Sequence, residues 1–164
     1  MLPSWAVVTP ERRAHIERVA ALVDAWAKEL RVPATEADRW RRAAWLHDAL
    51  RDAPSASELD HGPLCADRLA REGERDQGVL DAIRYHSVGF AGWDGVGRTL
   101  YMADYLEPGR TFDVGERSEL RARMPQEKDT VLVDVVRSRI KWIVRSGWSL
   151  PSETVAFWNS LVPR

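Results

Sequence analysis

The four histidines of this chain, His15, His47, His61 and His86, fall in four separate segments, each beside small or apolar residues. His47 is followed directly by Asp48, and the pair closes the run Ala43-Ala44-Trp45-Leu46, where polar residues are out of place. A second apolar stretch, Met102-Ala103-Asp104-Tyr105-Leu106, is interrupted by the carboxylate of Asp104. Imidazole and carboxylate together suit borderline divalent ions such as Fe, Mn, Co, Ni or Zn. The single cysteine, Cys65, cannot build a Cys-rich structural zinc site. His15, His47, Asp48, His61, His86 and Asp104 are too many ligands for one catalytic ion with an open position, and suit two ions sharing a carboxylate. Two ions ~3.5–4 Å apart can hold a bridging hydroxide and clamp the oxygens of a displacement at phosphorus. Each residue alone has a plainer reading. A histidine near an apolar face is commonly a core or surface histidine, Asp48 would pair with Arg41, Arg42 or Arg51, and Asp104 would serve as a helix-end or ion-pair carboxylate. The argument rests on the joint pattern.

The elements that must position these residues read as helices. Thr9-Pro10-Glu11 has the chemistry of a helix start, with a hydroxyl cap, proline at the first turn and an acid at the positive end of the dipole. Ile16, Val19, Ala20, Val23, Ala27 and Leu30 then recur at helical spacing until Val32-Pro33, and His15 borders that face. Thr35 with Asp38 resembles a capping box for a second helix running to about Leu50. On it, His47 and Asp48 would point about 100° apart, so both reach one side. A third helix starts at Asp60-His61-Gly62-Pro63 and stops at Gly73; a fourth spans Gln77 to His86; a fifth spans Asp94 to Leu106. Asp113–Arg123 reads as a short charged helix, Gln126–Ser146 as a strongly amphipathic one, and Pro151–Leu161 as the last. No segment alternates with the period of a strand. The expectation is an all-α bundle of about seven to eight helices, with residues 1–164 as a single domain.

Bulk composition narrows the function classes. Hydrophobic residues make up 45 %, enough to bury a core rather than leave the chain disordered. Eight tryptophans suggest aromatic gap-filling in a tightly packed interior. A net charge of −1 argues against a dedicated nucleic-acid binder, which is usually basic. A small anionic substrate remains compatible, because metal ions supply positive charge locally. No apolar run approaches a membrane span, no basic leader precedes an apolar one, and one cysteine allows no internal disulfide. These features predict a cytoplasmic protein.

The pattern resembles the HD-domain superfamily of metal-dependent phosphohydrolases and, within it, the YqeK family of bacterial symmetrical diadenosine tetraphosphate hydrolases. The matching stretches are Arg12-Arg13-Ala14-His15 with Val19, Ala44 to Arg51, His61-Gly62-Pro63, Ala82 to Gly89, and Met102 to Arg110. Leu150 to Ala156 followed by Asn159 is also similar to that family's ending. The most specific part is Ala103-Asp104-Tyr105-Leu106-Glu107-Pro108-Gly109-Arg110, which generic HD domains lack. The resemblance implies an HD helical fold and a two-metal site, di-iron by expectation. By position, His15, His47, Asp48 and Asp104 would hold one ion, and His61 and His86 the other, with Asp48 bridging. It further implies attack of a metal-bridging hydroxide on a central phosphorus, giving two ADP.

Arg51 and Arg110 are the candidate catalytic cations and, with Ser87, the candidate substrate contacts. Arg51 stands where the family usually has lysine; both are cations, but arginine is planar and bidentate. Its plain alternative is a solvated cation at a helix end. Arg110 would hold phosphate or pair with Glu107. Ser87 replaces a usual threonine and keeps the hydroxyl, which would otherwise only stabilise the turn. The loop Phe90–Gly95 departs from the family's wording and would alter substrate preference if it shaped the nucleoside pocket. Trp93 in that loop would stack on adenine or, more simply, pack in the core. Tyr105 and Glu107 would orient ligands or serve as packing and capping residues. The last two helices would close the core or form a homodimer interface. Two rival readings are an HD phosphohydrolase acting on another nucleotide or phosphate ester, and a non-catalytic nucleotide-sensing HD module. A third is a purely structural helical domain.

Overall fold

The computed structural model describes residues 1–163 and has seven helices: α1 (Pro10–Glu29), α2 (Ala34–Leu46), α3 (His61–Arg71), α4 (Gln77–Tyr85), α5 (Gly95–Leu106), α6 (Val114–Arg145) and α7 (Ser152–Leu161). Among the described residues there is no strand. The start of α1 follows its sequence: the Thr9 side chain accepts the Arg12 N–H at 3.2 Å, with proline in the first turn. Asp76 and Asp94 cap α4 and α5 in the same way, accepting the N–H groups of Val79 and Val96.

The bundle is organised around α5, which packs against α1, α2, α4 and α6. Nine of its twelve residues are buried, from Val96 to Leu106, so it is apolar almost all round, as a helix enclosed by others must be. Val19, Val23, Ala43, Ala44, Val79, Ile83, Val131 and Val135 close around it, each fully buried. Full burial of one such valine or isoleucine contributes about 1.5–3 kcal/mol. Because Asp104 rides on this helix, the carboxylate is carried into the middle of the molecule.

Two local features depart from the sequence expectations. The second helix ends at Leu46 rather than near Leu50, so His47 is its cap and Asp48 lies in the turns that follow. The N-terminal segment competes for that backbone: Val7 N–H donates to Ala49 O at 2.8 Å, and Asp52 N–H donates to Val7 O at 3.2 Å. Nor does Thr35 form a capping box. The helix begins at Ala34 after Pro33, with no side-chain cap, and the N–H groups of Glu36 and Ala37 bond to the Pro33 carbonyl.

The two expected helices after Asp113 are arms of one element that folds back on itself. The α6 backbone is non-helical at Glu127 (φ −124°, ψ 35°), two residues after Pro125. Glu116 and Ser138 lie 22 positions apart, which a straight helix would spread over about 33 Å. They are instead hydrogen-bonded at 3.1 Å. α7 then seals the bundle, with Phe157 fully buried against Trp93 and Tyr101, and Thr154 Oγ1 donating to Val88 O at 2.7 Å.

Candidate metal centre

All six predicted ligands are buried, and the fold brings them together. Asp48 is the hub. Its Oδ1 lies 3.1 Å from His61 Nε2 and 3.2 Å from His86 Nε2. Its Oδ2 lies 3.6 Å from His47 Nε2 and 3.7 Å from His15 Nε2. Asp104 Oδ1 is 3.1 Å from His15 Nε2. The carboxylate of Asp48 thus faces one histidine pair with each oxygen. His15, His47 and Asp104 form one compact donor group, and His47, Asp48 and His86 another.

The backbone fixes which ring nitrogen points inward. His47 Nδ1 donates to Ala44 O at 2.8 Å, His61 Nδ1 to Glu58 O at 2.6 Å, and His86 Nδ1 to Ile83 O at 2.7 Å. In each case the acceptor is the carbonyl three residues earlier, available at the C-terminal ends of α2 and α4 for His47 and His86, and in the turn before α3 for His61. His15, inside α1, instead donates from Nδ1 to Glu107 Oε1 at 3.1 Å. With every Nδ1 so engaged, all four Nε2 atoms converge. His61 and His86 Nε2 are 3.0 Å apart, and His15 and His47 Nε2 are 3.4 Å apart. Nitrogens and carboxylate oxygens gathered at that separation offer more acceptors than there are protons to share. A divalent cation resolves the arrangement, so the donor set fits metal ions of the kind the residue types suggested.

Electrostatics divide the cluster: burial opposes the charged form of His15, but the Asp104 and Glu107 carboxylates beside it raise its pKa above the ordinary histidine value, whereas the other groups are held ready for an ion. Burial pushes His47 down to about 4, which keeps it neutral and its lone pair available. Burial would raise the carboxyls of Asp48 and Asp104, but the surrounding histidines, with Arg110 and Arg139 at Asp104, hold both well below the usual carboxylate range. Glu107, opposed by burial but bonded to His15, Arg18 and the Gly109 N–H, is held at about 2.

A cavity of about 560 Å³ opens over the cluster and reaches Asp48, His61, His86 and Asp104. Its lining includes the three predicted substrate contacts. Arg51 Nη1 donates to Glu58 O at 2.7 Å, which makes it a held cation rather than a solvated one. Arg110 Nη2 donates to Asp104 Oδ1 at 2.7 Å, while its Nε is 3.7 Å from Glu107. The Ser87 hydroxyl lies 3.2 Å from His86 Nε2. The Phe90–Gly95 loop does not line this cavity. Trp93 is buried against Tyr101 and Phe157 and donates to Asp81 O, and Phe90 stacks on Tyr85 at 4.5 Å. Two other tryptophans do reach the cavity: Trp142 and Trp148 are 52 % and 58 % exposed, contrary to a wholly interior role for the eight.

Some participants escaped the sequence. The ion-pair partner of Asp48 is Arg12, at 2.8 Å, rather than Arg41, Arg42 or Arg51. Arg18 holds Glu107 at 2.6 Å, and Arg139 Nη2 lies 3.4 Å from Asp104 Oδ2. A signal was present for two of them. Arg12 is one turn before His15, and Arg139 interrupts the apolar face of Val135, Val136, Ile140 and Ile143.

A family model described as HD domain matches residues 12–132. The chain belongs to the HD domain family. It is 31 % identical over 106 residues to a protein of Bacillus subtilis (strain 168) named symmetrical bis(5'-nucleosyl)-tetraphosphatase, covering 64 % of this chain and 56 % of that one. A protein of the same name from Staphylococcus aureus (strain NCTC 8325 / PS 47) is 28 % identical over 100 residues, covering 60 % and 52 %. The chain therefore spans just over half the length of these relatives. In fold, this HD domain is similar to a crystal structure from Clostridium acetobutylicum described as a predicted HD superfamily hydrolase involved in NAD metabolism. The TM-score is 0.77 at 24 % identity, covering 94 % of this chain and 90 % of that one. Among the described residues, no helix of this HD domain is long and apolar enough to cross a membrane.

Proposed function

We propose that this HD domain is a cytoplasmic metal-dependent phosphohydrolase that cleaves diadenosine tetraphosphate symmetrically into two ADP. The observation that carries the reading is the position of Asp48, one oxygen toward His61 and His86 and the other toward His15 and His47. That arrangement would suit a carboxylate shared by two ions. His15, His47, Asp48 and Asp104 would hold one ion, and His61, His86 and Asp48 the second. Divalent ions bound there, iron first among the candidates, would supply a water of lowered pKa and offset charge on phosphate oxygens.

The chain's own residues do the positioning. Three backbone carbonyls and Glu107 hold the Nδ1 protons outward, so the Nε2 lone pairs stay fixed on the centre. Arg51 and Arg110 both line the cavity and would meet the oxygens of a polyphosphate flanking the scissile bond. Ser87 would add a hydroxyl contact. The cavity wall carries seven Arg and Lys side chains against five Asp and Glu, and several of those acids are already engaged with histidines or arginines, which favours a polyanion over a neutral ligand. The names of the relatives point to the dinucleoside tetraphosphate within that class. A homodimer plays no part in this reading.

A product assay tests it. Protein of measured metal content is given diadenosine tetraphosphate with Fe(II), with Mn(II), or with chelator, and nucleotides are separated by chromatography. Metal-dependent ADP as sole product is expected. ATP plus AMP would reject the central cut, and no product from metal-loaded protein would reject this substrate.

A further inference from the structure

The α6 hairpin carries a cation that the metal centre does not account for. Arg117, in the first arm, is 2 % exposed and lies on the wall of the same cavity. Its guanidinium is sandwiched between two rings, with Cζ 3.6 Å from the Tyr105 centroid and 3.9 Å from that of Phe112. One nitrogen donates to the Tyr105 carbonyl. Its Nε and Nη2 are buried without a hydrogen-bond partner, and no carboxylate among the described residues pairs with it. Arg139, in the second arm, rests on the same aromatic floor, 4.4 Å from the Tyr101 centroid and 5.7 Å from that of Tyr105. Its Nη1 is likewise buried and unpartnered.

A guanidinium cannot escape burial by losing its proton. Buried charge is tolerated where it is paired, and buried N–H groups where they are bonded. The ring contacts and one carbonyl satisfy part of the Arg117 fork and leave the rest open. Burial presses most strongly against the Arg117 cation; Tyr105 and Asp113 favour the charge, but repulsion from Arg110 and Arg139 adds to the burial. An anion with several acceptor oxygens would supply both the missing charge and the missing acceptors, and the planar fork of arginine matches phosphate in that respect.

We propose that Arg117, with Arg139 across the hairpin, forms a second phosphate subsite beside the metal centre. It takes a phosphoryl group from the part of a polyphosphate substrate that does not lie on the centre. This rests on the polyphosphate reading above and assigns the far end of that substrate. A tetraphosphate chain cut at its middle keeps two phosphates on each side of the break, so outer phosphates remain to be held once the centre has engaged those flanking it. Arg139 links the two places, since its Nη2 approaches Asp104 while its Nη1 stays open.

The test is calorimetric titration of metal-loaded protein with inorganic tripolyphosphate and, in a second arm, with ADP. Wild type is compared with Arg117→Met and Arg117→Lys, and metal content is measured in each. Loss of one charge-assisted contact predicts tripolyphosphate binding about 10-fold weaker in Arg117→Met at unchanged metal content, partly restored in Arg117→Lys. An equal loss for ADP places a nucleotide's phosphates in the subsite; a loss for tripolyphosphate alone overturns its assignment to a nucleotide substrate. Wild-type affinity in Arg117→Met overturns the subsite and leaves Arg117 as a cap on the Tyr105 carbonyl. If Arg117→Met does not fold, the wild type decides: the Arg117 Nε–Hε resonance of zinc-loaded protein, assigned by its absence in Arg117→Lys, must move on adding tripolyphosphate. A resonance that stays put refutes the subsite. These readouts do not depend on turnover, so failure of the subsite and failure of the hydrolase reading are separate results.

Discussion

Glu107 accepts the Nδ1 proton of His15 at 3.1 Å, and Arg18 pins the same carboxylate from the other side at 2.6 Å. The pair does for His15 what backbone carbonyls do for the other three histidines. It fixes the tautomer and, being charged, makes the inward Nε2 a better donor. Glu107→Gln keeps an acceptor oxygen but removes the charge. Metal affinity should fall about 10-fold, at the lower end of the 10–100-fold typical of such outer partners. Competition with a chelating dye measures it, and undiminished affinity would make Glu107 a packing residue.

Gly62 follows His61 at the point where α3 crosses the end of α4. A Cβ there would lie 2.8 Å from both the Ile83 and Arg84 carbonyls, which are backbone and cannot swing away. Ile83 O is also the acceptor for His86. Gly62→Ala should therefore push α3 off α4, cost about 1–3 kcal/mol of stability and part His61 from His86. Metal analysis should show loss concentrated at the His61–His86 position, with a lowered unfolding midpoint. Full occupancy would show that the crossing is more compliant than its contacts imply.

Arg51 is held by Glu58 on the cavity wall but does not bond to the inward nitrogens. Arg51→Ala should leave metal content intact and lower kcat/KM for the dinucleotide about 10–100-fold, the contribution of a hydrogen bond to a charged group. Unchanged kinetics would reduce Arg51 to a brace for the Glu58 loop.

Far from the centre, Asp76 caps α4 and receives Arg39 at 2.7 and 2.9 Å, and its carboxyl is held at about 2 against an ordinary 3.8, Arg39 being the main cause. A depressed folded pKa means that the ionised form favours folding. The contribution is present above the ordinary value and disappears as pH falls from about 3.8 through about 2. Solvent screening limits it to on the order of 1 kcal/mol. Denaturant midpoints of wild type and Asp76→Asn should differ at pH 5 and converge toward pH 2.5; a constant gap would refute the linkage.

The helices and the six buried candidate ligands were legible because both have a local signature: apolar residues at helical spacing, and polar residues intruding on them. The end of α2 was not, because Ala49 and Leu50 continue an apolar pattern while the backbone of Ala49 and Asp52 is bonded to Val7, about forty positions earlier. Arg18 and Arg117 were invisible for a related reason. In a chain with 24 Lys and Arg, a cation in a charged helix reads as solvated, and only the folded positions of Glu107 and Tyr105 show that these are buried contacts. Trp93 and Trp142 have the same residue type and opposite fates, decided by what packs over each.

The α6 hairpin joins residues 22 positions apart, whereas the His15–Glu107 bond joins residues 92 apart. Closing the longer loop sacrifices more chain entropy and requires the intervening helices to be in place. The hairpin that carries one part of the cavity wall is thus a local event in folding and the centre a global one. A nascent chain cannot present the full ligand set until Asp104 has been synthesised and α1 has docked on α5, so tight metal uptake records that the two ends of the bundle have met.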